Sequence, residues 1–303
     1  MNAKNDIDIF IPSYHRPHNI KTAKYFISRG YDPKKIHVVV DDEADDIIEY
    51  DEERKAQGFN LHIFSMQEAR ERYDYVHRPS KSRRSAGQAR NMFYDIEKRL
   101  EIDFYVVIDD DTTHFEIRPF GNYGRVANVD DIRVLFRAIR GLMEKRHVGI
   151  FGLSQNGEMF EKNDTKQLRN KVMNVSFINT KYIYRGERGV QDDDTSQFVT
   201  IYNEGYFTGS LRNGIVLHQT QSATQEGGLT DLYNECKLLN KALVCVIQFP
   251  SAIIAEKQIM NGGRLHHRIK ARYLVPKLLK GERSNIEWDA YPEDAIFTNE
   301  PKR

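Results

Sequence analysis

The feature that most constrains the fold is a rhythm in the first 110 or so residues. Short β-rich runs end at polar loops and are separated by segments of helix length. "IDIFI" (7–11), "KIHVVV" (35–40), "NLHIF" (60–64) and "FYVVI" (104–108) read as four strands. Helix signals fall between them, around 18–29, 43–57 and 88–100. Alternation of this kind builds βαβ units with parallel strands. In an open α/β sheet ligands gather at the carboxyl ends of the strands. The loop "PSYHRPH" (12–18), the pair Asp41 and Asp42, and the residues after Ile108 are therefore expected to share one crevice.

The fourth strand runs straight into charge, as "FYVVIDDDTT" (104–113). Packing does not ask for three adjacent carboxylates, which repel unless solvent or a cation compensates them. Residues i and i+2 of an extended chain share a side. Asp109 and Asp111 then present two carboxylates together while Asp110 faces away. Hard oxygen ligands at that spacing suit Mg²⁺ or Mn²⁺, ions that also grip substrate phosphates. A solvated turn explains an ordinary Asp pair, but three in succession at the ligand-binding edge favour a bound dication.

Beyond this point "VDDIRVLFRAIRGLMEKR" (129–146) has helical periodicity, with Asp130 and Asp131 suited to its first turn. "HVGIFGLS" (147–154) and "KVMNVSFIN" (171–179) read as strands, and "QDDDT" (191–195) is a second acidic triplet before a helix. The segment 257–285 is basic and reads as mostly helical, interrupted by Pro276. A boundary near 215 divides a catalytic core (1–215) from a basic C-terminal segment (216–303), unless the chain is one domain. Net charge is only +1, so attraction to a polyanion has to come from local clusters. Two cysteines, Cys236 and Cys245, make no disulfide framework and fit a reducing compartment. The N-terminus lacks a secretion signal, and no apolar run approaches the roughly 20 residues that cross a bilayer. A soluble cytoplasmic protein without a membrane partner is expected.

Two enzyme classes use a strand that ends this way. Haloacid-dehalogenase-type phosphatases carry hydrophobic-Asp-x-Asp-x-Thr, which "VVIDDDTT" satisfies, but their motif follows the first strand. Here three βα units precede it, which disfavours that class. Metal-dependent glycosyltransferases hold a metal against the donor diphosphate with Asp-x-Asp. "IPSYHRP" (11–17), "VVVDDEAD" (38–45), "SAGQARN" (85–91), "YVVIDDDTTHFEIR" (105–118) and "HQTQSATQEGGLTDLY" (218–233) occur in the order of a GT-A glycosyltransferase. Over about residues 7–235 the chain resembles the phage and bacterial transferases associated with TET/JBP pyrimidine hydroxylases, which glycosylate hydroxymethylated bases in DNA.

That resemblance implies an α/β, mostly parallel sheet of GT-A type flanked by helices, and a site to go with it. Pro12, Ser13, Tyr14 and Asp41 would meet the donor nucleotide; Asp41 serves equally well as a cap of the acidic helix. Arg16 is able to meet phosphate bidentately, or to stand as an exposed loop arginine. Arg84, Gly87, Arg90 and Asn91 lie in a basic loop entering a helix, where free N–H groups favour an anion. Asp109 and Asp111 would hold Mn²⁺ or Mg²⁺, with Asp110 on the donor side. His218 either completes the metal shell or is structural. Asp192 or Asp193 would take the acceptor's proton, with Asp194 the better helix cap. A retaining reaction needs no such base.

Gln219 and Gln221 offer amide groups to sugar or base edges. Arg264, His267, Arg268 and Lys270, in the basic tail, are candidates for following a DNA phosphate backbone; a basic face of an amphipathic helix is the plainer reading. The reading as a whole is transfer of a sugar from a nucleotide diphosphate, a UDP-sugar, to a 5-hydroxymethylpyrimidine in DNA. A saccharide or lipid acceptor is the alternative.

Overall fold

A computed structural model describes residues 6–73, 86–118, 127–129, 131–155, 166–168, 171–182, 192–206, 208–211, 214–219, 242–257 and 265–270. The expected rhythm is present in its first third. β1 (Asp8–Pro12), α1 (Lys21–Ser28), β2 (Ile36–Asp41), α2 (Ile47–Gln57) and β3 (Asn60–Phe64) lead into α3 (Met66–Arg72). α4 (Ala86–Arg99) and β4 (Phe104–Ile108) follow. Next come β5 (Thr112–Arg118), β6 (Ala127–Asn128), α5 (Ile132–Arg146), β7 (Ile150–Gly152), β8 (Ser154–Gln155) and β9 (Lys166–Leu168). β10 (Val175–Asn179), α6 (Asp193–Asn203), β11 (Thr208–Leu211), β12 (Gly214–Gln219), β13 (Ile253–Lys257) and β14 (Leu265–Ile269) complete the set, with residues 242–248 helical before β13.

The main sheet has the order β3-β2-β1-β4-β10-β7-β11-β9. β3, β2, β1 and β4 are parallel. β10 enters antiparallel between β4 and β7, β11 returns parallel to β7, and β9 is antiparallel at the edge. Six of the eight strands thus run one way, which is the mixed, mostly parallel α/β sheet expected for a GT-A fold. A second sheet, β6-β5-β12-β8, is built on the strand that follows the aspartates.

Strand parity decides which helices cover which face. Ile9, Ile11, Val38, Val40, Val106 and Ile108 pack on one side with Phe26 of α1 and Phe136 and Ile139 of α5. Phe10, Val39, Tyr105 and Val107 pack on the other with Met66 of α3 and Phe93 and Ile96 of α4. Both faces are covered, so the central strands read as continuous apolar runs instead of alternating ones.

Several elements differ from expectation, among them the run 147–154, which is a strand only from Ile150 and divides between β7 in the main sheet and β8 in the second. α2 starts at Ile47, with Asp46 at its N-cap, four residues later than the acidic composition implied. The strand expected over 171–179 forms only from Val175. In the tail, Leu265–Ile269 is a strand paired antiparallel with Ile253–Lys257, so this part of the segment read as basic helix is sheet. The β-branched "AIIAE" run (252–256) and the Asn261-Gly262 dipeptide are hairpin signals in the sequence that the run of basic residues obscured. Residues 271–285 lie outside the described residues. The boundary placed near 215 falls inside β12, which is hydrogen-bonded to β5 from Gly214 onward. Among the described residues no helix is long and apolar enough to cross a membrane.

Candidate active site

β1, β2 and β4 all end on the same edge of the sheet, and the expected residues collect there. Parity carried past Ile108 points Asp109 toward α4 and Asp110 toward α1, and the contacts follow it. Asp110 is buried and receives two donors: Arg16 Nη1 at 2.8 Å and Ser13 Oγ at 2.7 Å. Because Ser13 gives its proton to Asp110, the 2.8 Å contact with Tyr50 is donated by the tyrosine hydroxyl. Tyr50 Oη in turn accepts from the Arg16 backbone N–H at 3.1 Å. The loop after β1 is closed into a ring of bonds around Asp110. Burial pushes the Asp110 carboxyl upward, against the pull of Arg16 and Ser13.

The turn itself is stapled by the start of α1. Thr22 N–H donates to Asp110 O at 3.1 Å, and Thr22 Oγ1 donates to Asp109 O while accepting from Thr112 N–H at 3.0 Å. Thr22 fixes the backbone of Asp109, Asp110 and Thr112 without touching a carboxylate.

Asp109 meets Arg90, whose second amino group donates to Asp193 Oδ2 at 2.6 Å. Burial works against the charge on Arg90, but Asp109 and Asp193 hold the guanidinium more firmly protonated than usual. The sequence pointed Arg16 and Arg90 at phosphate; the structure engages both with carboxylates. Arg90 links the strand-end triplet to the second acidic triplet, a contact that sequence spacing gave no sign of.

Asp111 differs from its two neighbours. It is buried, and its Oδ1 has no hydrogen-bond partner. Burial, with Asp109 and Asp110 close by, pushes its carboxyl up to about 7. A buried, unsatisfied carboxylate oxygen beside two further carboxylates is a fit for a hard dication. β12 brings its end to the same place: His218 lies opposite His114 and Gln219 opposite Thr112, with an irregularity between them. His218 and Gln219 thus run beside the residues that follow Asp111.

The remaining expected residues spread more widely. Pro12 ends β1, and the Tyr14 ring sits on His15 at 3.9 Å. Asp41 ends β2, where its Oδ1 accepts from Glu43 N–H at 3.1 Å; the cap position of α2 belongs to Asp46. Gly87 and Asn91 are buried in α4, where Asn91 O accepts from Tyr73 Oη at 3.1 Å. Asp192 precedes α6 and faces His267 at 3.3 Å, while Asp194 pairs with Lys171 at 2.7 Å. His267 is buried in that contact, so its ring offers no surface to DNA, contrary to the expectation for the tail. Arg268 is exposed and paired with Glu256 at 3.0 Å, and Lys270 N–H bonds to Ala252 O. Arg84, Gln221 and Arg264 lie outside the described residues. Thr22 is a site residue that sequence reasoning missed, standing in no charged cluster or motif, and Tyr50, which closes the run "VVVDDEADDIIEY" (38–50), was given no role there.

The solved structures similar to this chain include glucosyl-3-phosphoglycerate synthase from Mycobacterium tuberculosis in complex with Mg²⁺ and UDP. It is 11% identical over 88% of each chain, with a TM-score of 0.43. The same enzyme with Mn²⁺, UDP-glucose and phosphoglyceric acid gives the same figures, 11%, 88% of each chain and 0.43. Mannose-1-phosphate geranyltransferase from Thermus thermophilus is 9% identical over 69% of this chain and 58% of that one, with a TM-score of 0.28. No curated protein matches the chain. A family model described as TET-Associated Glycosyltransferase matches residues 7–228, which run from the start of β1 past the end of β12 and include all six aspartates of the two triplets. The chain therefore belongs to the TET-associated glycosyltransferase family and is a glycosyltransferase.

Proposed function

We propose that the protein moves a sugar from a nucleotide diphosphate donor, a UDP-sugar, to the hydroxyl of a 5-hydroxymethylpyrimidine in DNA. The observation that carries the donor half is Asp111, buried beside two other carboxylates with one oxygen unsatisfied. Asp109 and Asp111 would hold Mn²⁺ or Mg²⁺, with His218 as a further ligand. Such an ion, when bound, supplies positive charge to the diphosphate oxygens of the leaving group. The acceptor half rests on the association of the family with TET, a pyrimidine hydroxylase in the resemblance described above.

The residues of this chain do the holding. The ring through Arg16, Tyr50, Ser13 and Asp110 keeps the loop after β1 closed against the strand end, where the nucleotide would lie. Arg90 keeps Asp109 and Asp193 at a fixed separation. In the transfer, the acceptor oxygen bonds to the anomeric carbon as the bond from that carbon to the diphosphate breaks. In an inverting reaction the acceptor's proton passes to a carboxylate at the start of α6, Asp192 or Asp193.

Hydroxymethylated duplex DNA, a panel of sugar nucleotides and Mn²⁺, read by nucleoside mass, test this reading. A hexose or pentose added to the modified base, lost on chelation and in Asp111→Asn, is the expected result. If no donor gives a mass increase while a saccharide acceptor is glycosylated, the DNA acceptor is wrong and the donor half stands.

A further inference from the structure

Away from the strand-end triplet, three donor atoms of different chemistry meet at the base of α6. A carboxylate oxygen of Asp192, the Cys245 sulfur and a ring nitrogen of His267 lie within 4.8 Å of one another. They come from three separate stretches: the residue before α6, the helical residues 242–248, and β14. The Cys245 side chain is fully buried, and those of Asp192 and His267 are each 6% exposed.

His267 is held from behind. Nδ1 is 3.3 Å from Asp192 Oδ2, and Nε2 is 3.2 Å from Thr195 Oγ1, a hydroxyl that also accepts from Lys171 Nζ at 3.3 Å. A partner on the remote ring nitrogen is what fixes the tautomer and orientation of a metal-bound histidine. The nearby ammonium of Lys171 is itself paired with Asp194 at 2.7 Å.

We propose that Asp192, Cys245 and His267 form a Zn²⁺ site that fastens the C-terminal segment to α6. The mixed sulfur, nitrogen and oxygen set suits zinc, whereas Mg²⁺ and Mn²⁺ prefer oxygen, so this site and the aspartates after β4 select different ions. Binding replaces the Cys245 S–H bond by a zinc–sulfur bond and releases that proton to solvent. One thiolate and one carboxylate balance the charge of the ion, and that neutrality makes burial tolerable. The His267 Nδ1 lone pair completes the protein ligands and leaves a fourth position for water. Cys245 and His267 lie beyond residue 228, where the family match ends, so two of the three ligands come from outside the matched region. The assignment does not depend on which acceptor the enzyme uses. It takes Asp192 for the metal and leaves Asp193 as the carboxylate for proton transfer.

The full chain, stripped of metal, is titrated with Co²⁺ and then with Zn²⁺. One equivalent of cobalt should give a thiolate-to-cobalt charge-transfer band that one equivalent of zinc abolishes and that excess Mg²⁺ leaves in place. Cys245→Ser and His267→Gln should weaken zinc binding by at least ~100-fold, the upper end of what loss of an outer partner does. Asp109→Asn should keep the band, which separates failure here from failure of the strand-end dication site. Cys236→Ser should keep it as well. No band in the unaltered chain, or a band that persists in Cys245→Ser and vanishes in Cys236→Ser, overturns the proposal without requiring any variant to fold well.

Discussion

Arg90 on α4 and Asp193 at the start of α6 stand 103 residues apart in sequence and are joined by a 2.6 Å charge-assisted hydrogen bond. The same guanidinium binds Asp109 with its other amino group. One side chain therefore sets the distance between the carboxylate that would face the donor and the carboxylate that would face the acceptor. Lysine supplies the charge but not the fork. Arg90→Lys should fold and lose about 100-fold or more in kcat/KM, because misplaced groups are costly at a reacting centre. Arg90→Ala removes the guanidinium shared by two partly buried carboxylates and should cost about 3 kcal/mol in urea unfolding.

Asp110 and Asp111 should respond to the same change in opposite directions. Asp110 carries Arg16 and Ser13, so Asp110→Asn weakens a buried ion pair and should destabilise the protein by about 2–4 kcal/mol. The Asp111 carboxyl is pushed up to about 7, so ionising it penalises the metal-free folded state at higher pH. Asp111→Asn should raise stability at pH 8 without metal by about 1–3 kcal/mol and abolish the further stabilisation given by Mn²⁺. Thermal denaturation with and without the ion checks both. A wild-type chain more stable than Asp111→Asn without metal would contradict the role given to Asp111.

Tyr50 makes the link that its neighbours in sequence do not announce. Tyr50→Phe deprives the Arg16 N–H of its acceptor and Ser13 Oγ of a donor. A loss of about 1–2 kcal/mol in stability is expected, together with a raised KM for the sugar nucleotide and little change in kcat. A steady-state comparison at fixed acceptor measures this.

Acid should loosen the far edge of the sheet through His62. A chain of bonds runs from Arg99 to His62 at 3.4 Å, on to His37 at 2.9 Å and to Asp8 at 2.9 Å. Burial, with the positive fields of His37 and Arg99, lowers the His62 ring to about 4. A folded value below the unfolded one means that the unfolded chain takes up a proton first. Stability is then lost as pH falls from about 6.5 toward about 4. His62→Gln should lose about 1–2 kcal/mol less than the parent between pH 7 and pH 4.5, after discounting for a partly exposed ring.

What the sequence made legible were the central strands, whose unbroken apolar runs have one meaning in a sheet covered on both faces. The divergence of Asp109 and Asp110 was also readable from strand parity. The Arg90–Asp193 pair was not, because nothing in either local segment specifies a partner 103 residues away. Charge was a poor guide to contacts and to backbone. The two arginines were read as phosphate ligands, with no sign in the sequence of the carboxylates that they hold, and the basic tail looked helical where Leu265–Ile269 is a strand. Basic composition says little about backbone when alternate residues face a neighbouring strand, as His267 does from β14.

The insertion of β10 between β4 and β7 bears on synthesis. β4 pairs with β1 on one side as soon as residue 108 has emerged, yet its other edge waits for Val175–Asn179. A nascent chain of intermediate length thus carries a five-residue apolar strand with one open edge and three carboxylates at its tip, two of them facing arginines already synthesised, Arg90 and Arg16. Those charges act as a gatekeeper against strand-to-strand association before the sheet closes.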